Sequence, residues 1–328
     1  MRDLVTGAGG LVGQNLVRAL VARGRRVRVL LRRPVPDLET LPGVEPVRGD
    51  ITVPGDLVRA CDGVEHVYHC AALVSMWERL GDAMWRTNVE GTDHVVAACR
   101  RAGVRRLIHC SSVDAIGLPE GDAPSTETMP WNWDRLGVDN PYARTKWESQ
   151  RRVLAAVAGD LDAVVVNPAY MFGPWDTRPS SGRMILEVAA GRAIGWTSGG
   201  NNFVDVEDVV LAMIEAASRG VRGECYILGH VNLTYREIFS EIADALGVRP
   251  PRFAIPRPLA RLGGFAGDLA GRLGGREPAV NSLTARLGYV RHYYDPTKAT
   301  VALGLRRTPI REAIAKAAAW FRQAGMLR

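Results

Sequence analysis

The chain has 328 residues, 47% of them hydrophobic and 23% charged, the composition of a soluble globular protein with a sizeable core. Its formal charge of +7 comes largely from arginines spread along the sequence, with no aromatic residues interleaved among them, so a solvated basic surface is expected and a nucleic-acid partner is not. No apolar run approaches the roughly 20 residues of a membrane span, which excludes an integral membrane protein.

In chain order, the first strand is expected at 3–6. It runs directly into a glycine loop, TGAGGLVG at residues 6–13, and a helix at 11–23. Gly7, Gly10 and Gly13 are spaced three apart. Such glycines allow a tight turn and close backbone approach, and they open a helix whose free N–H groups can bind a pyrophosphate. A dinucleotide is therefore expected against Gly7, Gly10, Leu11, Val12 and Gly13. The second strand, 27–31, ends in Arg32 and Arg33, with no acidic residue until Asp37. A carboxylate there would hold the ribose hydroxyls of NAD, whereas an arginine binds a 2′-phosphate. NADP(H) is thus favoured over NAD(H), with Arg32 the better candidate.

Further strands are expected at 66–70, 106–110 and 163–167, separated by helices at 56–61, 88–102 and 141–158. This alternation is that of βαβ units in a parallel sheet. The helix at 141–158 carries Tyr142 and Lys146, which share a face at i and i+4. An ammonium beside a phenol lowers a pKa that starts near 10, as a proton-transferring tyrosine needs. Past Pro168 the alternation breaks into loops and helices at 183–191, 206–218, 235–246 and 310–325, with one returning strand at 224–229. The segment 256–275 is basic and amphipathic. A membrane surface is one option for it, but its glycines weaken the helix, and a cap segment packing against the protein's own core is expected. The fold expected is α/β: a Rossmann-type, doubly wound parallel sheet over residues 1–168, with returning segments near 203–229. A smaller C-terminal substrate-binding cap takes most of 169–328.

With these pieces in order, the chain resembles the extended short-chain dehydrogenase/reductase family, and within it the dihydroflavonol-4-reductase-like branch. TGAGGLVG resembles the family's TGxxGxxG. Asp50 and Ile51, in RGDIT, resemble its adenine-side residues, and Cys70, Ala71 and Ala72 its segment under the nicotinamide ribose. Asn88 lies in the family pattern NVEGT. HCSSV at 109–113 resembles the segment with the catalytic serine, and Ile116–Gly117 point to Ser112 rather than Ser111. NPAYMFGP at 167–174 places Pro168 and Met171 near the nicotinamide.

The resemblance implies that Tyr142 donates the proton, Ser112 holds the same oxygen, and Lys146 binds the ribose and tunes Tyr142. It also implies carbonyl reduction or its reverse, and a homodimer through helices 88–102 and 141–158. Nucleotide-sugar epimerases of similar sequence carry an arginine where this chain has Asn201. Losing it disfavours a sugar nucleotide, unless Arg178, Arg183 or Arg192 substitutes. Trp77, Trp131, Trp133, Tyr170, Met171 and Trp175 fall in segments expected to border the pocket, of which Trp77, Tyr170 and Trp175 are taken as substrate contacts. They suit a hydrophobic, aromatic, terpenoid or steroid-like molecule.

His69 and His109 are expected to be structural. Five singly placed cysteines without a CxxC imply reduced thiols, no metal site and a cytoplasmic protein; no signal peptide is expected. The alternatives are a nucleotide-sugar epimerase or dehydratase with tightly held NAD, and a non-catalytic cofactor-binding scaffold.

Overall fold

The computed structural model describes residues 2–121, 123–135, 137 and 140–327. Its central sheet is wholly parallel and has seven strands. The first six in sequence are β1 (Arg2–Thr6), β2 (Arg26–Leu31), β3 (Val44–Arg48), β4 (His66–His69), β5 (Arg106–Cys110) and β6 (Ala163–Pro168). From edge to edge the order is Cys225–Leu228, β6, β5, β4, β1, β2, β3. The winding reverses between β1 and β4, which opens a crevice at their C-terminal ends.

Strands buried on both faces read as continuous apolar runs, and Ala163–Pro168 is buried at every position. One face is covered by the helix Leu11–Ala22 together with Val206–Arg219, through Leu16, Val17, Leu20, Val209 and Met213. The other is covered by Pro54–Cys61, Gly91–Ala102 and Pro141–Val157, through Leu57, Val95, Cys99 and Val153.

The strand β3 was not expected. Its sequence, VEPVR, has a proline at position 46, and a proline is tolerated in a strand only at an edge, which is where β3 lies. The Arg28 guanidinium fixes it by reaching Glu45 at 2.9 Å across the ladder.

After Pro168 the chain builds a second, smaller sheet from Tyr170–Phe172, Gly200–Asp205, Val231–Thr234 and Arg291–His292. Helices Tyr235–Leu246 and Ile310–Gln323 pack beside it around Phe172, Phe203, Ile238 and Phe321. The chain returns to the central sheet twice: through Val206–Arg219 and Cys225–Leu228, and again through Tyr294, Ala299 and Leu303. That second return was not foreseen.

The segment at 256–275 forms an eighteen-residue helix, Arg257–Gly274, in spite of its glycines. The glycines are what its packing uses. A Cβ at Gly264 would come within 2.9 Å of Ser282, and one at Gly267 within 1.8 Å of the Val280 carbonyl. Its leucine side, expected to meet a core, meets none.

All five cysteines are free. Among the described residues there is no group of His, Cys, Asp or Glu able to hold a metal ion, and no helix long and apolar enough to cross a membrane.

Candidate active site

The glycine loop lies at the mouth of the crevice. Gly7 has φ +69°, and a Cβ there would stand 2.5 Å from the Ala71 amide. A Cβ at Gly13 would stand 2.3 Å from the Gly7 carbonyl. Both glycines are required by close backbone approach. Gly10 is exposed and forms the N-cap of the helix Leu11–Ala22, with no side chain capping it and no acidic residue in the first turn. The first-turn amides of Leu11 and Val12 therefore face an open, electropositive helix end, and the cradle fits a pyrophosphate.

At the end of β2, Arg32 and Arg33 are exposed, and Arg32 lies 3.7 Å from the Asp50 carboxylate. Asp50 also accepts from the Thr52 amide and hydroxyl, both at 2.9 Å, which fixes its orientation. Ile51 is buried against Gly91, where a Cβ would meet its side chain at 2.8 Å.

On the other lip, Cys70 and Ala71 donate to the Thr6 carbonyl and hydroxyl at 3.2 and 3.3 Å, holding 70–72 over the crevice. Asn88, expected among the cofactor contacts, is instead spent internally. Its carboxamide accepts from the Leu73 amide at 2.7 Å and donates to the Leu73 carbonyl and the Thr145 hydroxyl. It is 2% exposed and positions the segment beyond Ala72. Pro168 ends β6 in a buried position, and Met171 packs against the core of the sheet.

The helix Pro141–Val157 starts with Asn140 accepting from the Ala143 amide at 3.2 Å and with Pro141 in its first turn. Tyr142 and Lys146 are both buried on its inner face. Lys146 donates to the Cys110 carbonyl at 2.8 Å. Immediately beyond, the Ser112 hydroxyl faces the Tyr142 phenol and accepts from the Asp114 amide at 3.1 Å. Asn167 holds this loop by donating to the Ser112 carbonyl at 2.8 Å, and also to Gln150 at 2.7 Å. The neighbouring Ser111 hydroxyl is buried without a partner, so of the two serines Ser112 is the one that meets the tyrosine.

The charges differ from expectation in one respect. Burial pushes the Tyr142 phenol well above its usual value, and the Asp114 carboxylate adds to this; only the Ser112 hydrogen bond opposes them. The expected pull from Lys146 is missing. Burial lowers the lysine's own pKa, and its ammonium points to the Cys110 carbonyl. The rings of His69 and His109 lie 5.4 Å apart, tilted by 35°, beneath the site. Burial and the Lys146 charge push both below the ordinary histidine range, His69 to about 3, so they are neutral. His69 bridges the hydroxyls of Thr6 and Thr92 at 2.8 and 3.0 Å.

Asp114 was missed at the sequence level. Burial raises its carboxyl to about 6, with the Ser112 hydrogen bond and the Lys146 charge opposing. The signal was there to read, as the lone charged residue in SSVDAIG, two positions after Ser112.

The aromatic residues divide. Trp131 stacks on Trp147 at 4.8 Å and donates its Nε1–H to the Asp114 carbonyl, which places it beside the serine loop. Trp133 is fully buried and donates to the Ile116 carbonyl. Trp77 is half-buried in the segment after β4. Tyr170 is a correction: its ring packs edge-on against Phe172 and Phe203 in the cap core, and its hydroxyl donates to the Ser181 carbonyl. Trp175 is another. It has φ +68° and lies under the Arg18 guanidinium at 3.5 Å, against Trp320, behind the glycine-loop helix.

Asn201 lies beside Tyr235, whose phenol is pushed up to about 12 by burial, with the Asn201 side chain opposing and the Asp114 charge adding to the rise. Neither residue brings a cation. Arg183 and Arg192 are tied to Glu187, and Arg178 is exposed.

Comparison with known proteins follows the same lines. A model of the NAD dependent epimerase/dehydratase family matches residues 4–229. The chain is 38% identical to sterol demethylase protein B of Methylococcus capsulatus over the full length of both. It is 33% identical to a putative dihydroflavonol 4-reductase of Synechocystis, covering 99% of this chain and 95% of that one. The crystal structure of gox2253 superposes with TM-score 0.87 at 33% identity, covering 99% of each chain. The glycine cradle, the parallel sheet and these full-length matches together place the chain in the NAD-dependent epimerase/dehydratase family of extended short-chain dehydrogenases/reductases, as an NAD(P)-dependent enzyme.

Proposed function

We propose that this enzyme is an NADP-dependent oxidoreductase that reduces a ketone or aldehyde of a small apolar substrate, or oxidises the alcohol in reverse. The observation that carries this is the cluster of Tyr142, Ser112 and Lys146 at the C-terminal end of β5, across the crevice from the glycine cradle. The nicotinamide, when bound, supplies the hydride.

The chain's own part is proton transfer and charge stabilisation. Tyr142 gives its phenolic proton to the carbonyl oxygen as negative charge develops there, and the Ser112 hydroxyl donates to the same oxygen. Lys146, whose ammonium carries donors beyond the one given to Cys110, would hold the nicotinamide ribose. With its phenol pKa raised by burial, Tyr142 holds its proton and is placed to donate it.

Support for the 2′-phosphate comes from Arg32, exposed at the end of a strand that lacks the ribose-binding acid. Support for an apolar substrate comes from the Trp131–Trp147 stack and from the uncharged Asn201–Tyr235 pair. The sterol and dihydroflavonol in the names of two relatives agree. In this reading the pocket lies between the sheet's C-terminal edge and the cap, and the protein works as a cytoplasmic homodimer.

The test is NADPH and NADH oxidation over a panel of apolar ketones and aldehydes. Turnover with NADPH is expected. A protein that purifies with bound NAD, oxidises no NADPH and epimerises or dehydrates a sugar nucleotide would establish the other activity of the family.

A further inference from the structure

The helix Arg257–Gly274 has three faces. Gly264, Gly267 and Gly271 form the first, packed closely on residues 278–285. Leu259, Leu262, Phe265, Leu269 and Leu273 form the second, between 51% and 81% exposed. At 100° per residue these five fall within one arc of about 120°. The third is a predominantly basic edge between the other two, made by Arg257, Arg261 and Arg272; its one acid, Asp268, accepts from the Ser282 amide at 3.3 Å. Among the described residues, Arg261 and Arg272 have no acidic partner. Five large apolar side chains on one open face far exceed the scattered exposure of a monomer's surface.

The helix is rigidly mounted. Asn281, following it, donates to the Met76 carbonyl at 2.8 Å, and Glu277 accepts from the Met76 amide at 3.0 Å. Leu283 and Leu287 of the next helix pack against the Trp131 and Trp133 cluster beside the serine loop.

We propose that this helix is a membrane-surface anchor that lies in the headgroup region of an anionic bilayer, with its leucine face in the acyl boundary. The charge pattern selects that occupant. An apolar arc flanked by unpaired arginines matches an interface of lipid tails and anionic headgroups. The proposal does not depend on the substrate assigned above.

The test is sedimentation of the full-length protein with phosphatidylcholine vesicles and with vesicles that also contain phosphatidylglycerol. The wild type is expected to sediment with the anionic vesicles and to stay in solution with the neutral ones. R261E/R272E is expected to weaken binding at least about 20-fold, at a factor of about five per arginine. L262E/F265E/L269E should abolish it while the far-UV spectrum and Tm are kept. If the triple variant fails to fold, the arginine variant decides alone. Wild type that remains in solution with anionic vesicles overturns the proposal. So does undiminished binding by either folded variant. Self-association of the wild type without lipid, lost in the triple variant, overturns it in favour of a second copy.

Discussion

The Lys146 ammonium donates to the Cys110 carbonyl at 2.8 Å, tying the helix that carries Tyr142 to the strand that leads into Ser112. This one bond fixes the spacing between the proton donor and the loop opposite it. Tyr142→Phe should lower kcat about 10²- to 10⁴-fold, the usual worth of a positioned acid, with the cofactor Kd unchanged within about twofold. Lys146→Ala should lower kcat and weaken the cofactor together. Turnover and calorimetric binding separate the two, and a Tyr142→Phe enzyme at wild-type rate would remove the tyrosine from the mechanism.

The glycine loop should rank by backbone clearance. At Gly13 an added Cβ meets a carbonyl at 2.3 Å, whereas at Gly10 the nearest atom is 3.5 Å away. Gly13→Ala should destabilise the protein by about 1–3 kcal/mol or more, the cost of overpacking. Gly10→Ala should stay within about 0.5 kcal/mol. Thermal melts without cofactor give the comparison, and equal losses at both positions would contradict it.

Cofactor choice should turn on Arg32. Arg32→Ala removes a charge-assisted contact to a 2′-phosphate, and its effect on KM for NADPH is expected to be about tenfold. KM for NADH should move less than about twofold. A parallel shift for both cofactors would show that Arg32 serves the surface alone.

Asp114 offers a pH test. Its carboxyl is raised from the ordinary range to about 6, so the folded chain holds this proton more tightly than the unfolded chain does. The stability it contributes is complete below pH about 4 and is lost as pH rises through about 6. Asp114→Asn lacks that loss. The Tm of the variant should therefore gain on the wild type between pH 4 and 6 and run parallel above. His69 and His292 are lowered in both proteins and cancel in the comparison. A Tm difference independent of pH would show that Asp114 titrates normally.

The proposed homodimer can be tested at the groove between Gly91–Ala102 and Pro141–Val157, where Ala97 and Ala155 are exposed. Ala97→Glu combined with Ala155→Glu should give a monomer in sedimentation equilibrium. An unchanged mass would place the interface elsewhere.

The parts of the fold that could be read in the sequence are those set by local rules. The strands β1, β2, β4, β5 and β6 announce themselves as short apolar runs, and Gly7, Gly10 and Gly13 announce the turn between the first strand and helix. Tyr142, Lys146 and Ser112 came out of spacing and resemblance, and the fold brings them together. What was missed depends on long-range pairing. The strand β3 hides behind Pro46, and the return of Tyr294 to the central sheet has no local cue. The aromatic residues were read by proximity to motifs, but side-chain direction decided. Tyr170 and Phe172 lie two apart on a strand and both serve the cap core, while Trp175 turns back under Arg18 through its left-handed backbone. Asn88 was read as a cofactor contact from the family pattern NVEGT, and its carboxamide is spent bracing Leu73 and Thr145.

The seventh strand, Cys225–Leu228, and the helix Val206–Arg219 belong to the central sheet although they follow the first cap segments in the chain. No single cut therefore separates a cofactor half from a substrate half. A fragment ending at 168 would expose β6 as a bare edge and strip the covering of the glycine-loop helix. Transplanting specificity from a relative would mean exchanging several discontinuous pieces at once, leaving the stretch 206–228 untouched. Heat or denaturant should find one cooperative unit where a linear diagram suggests two.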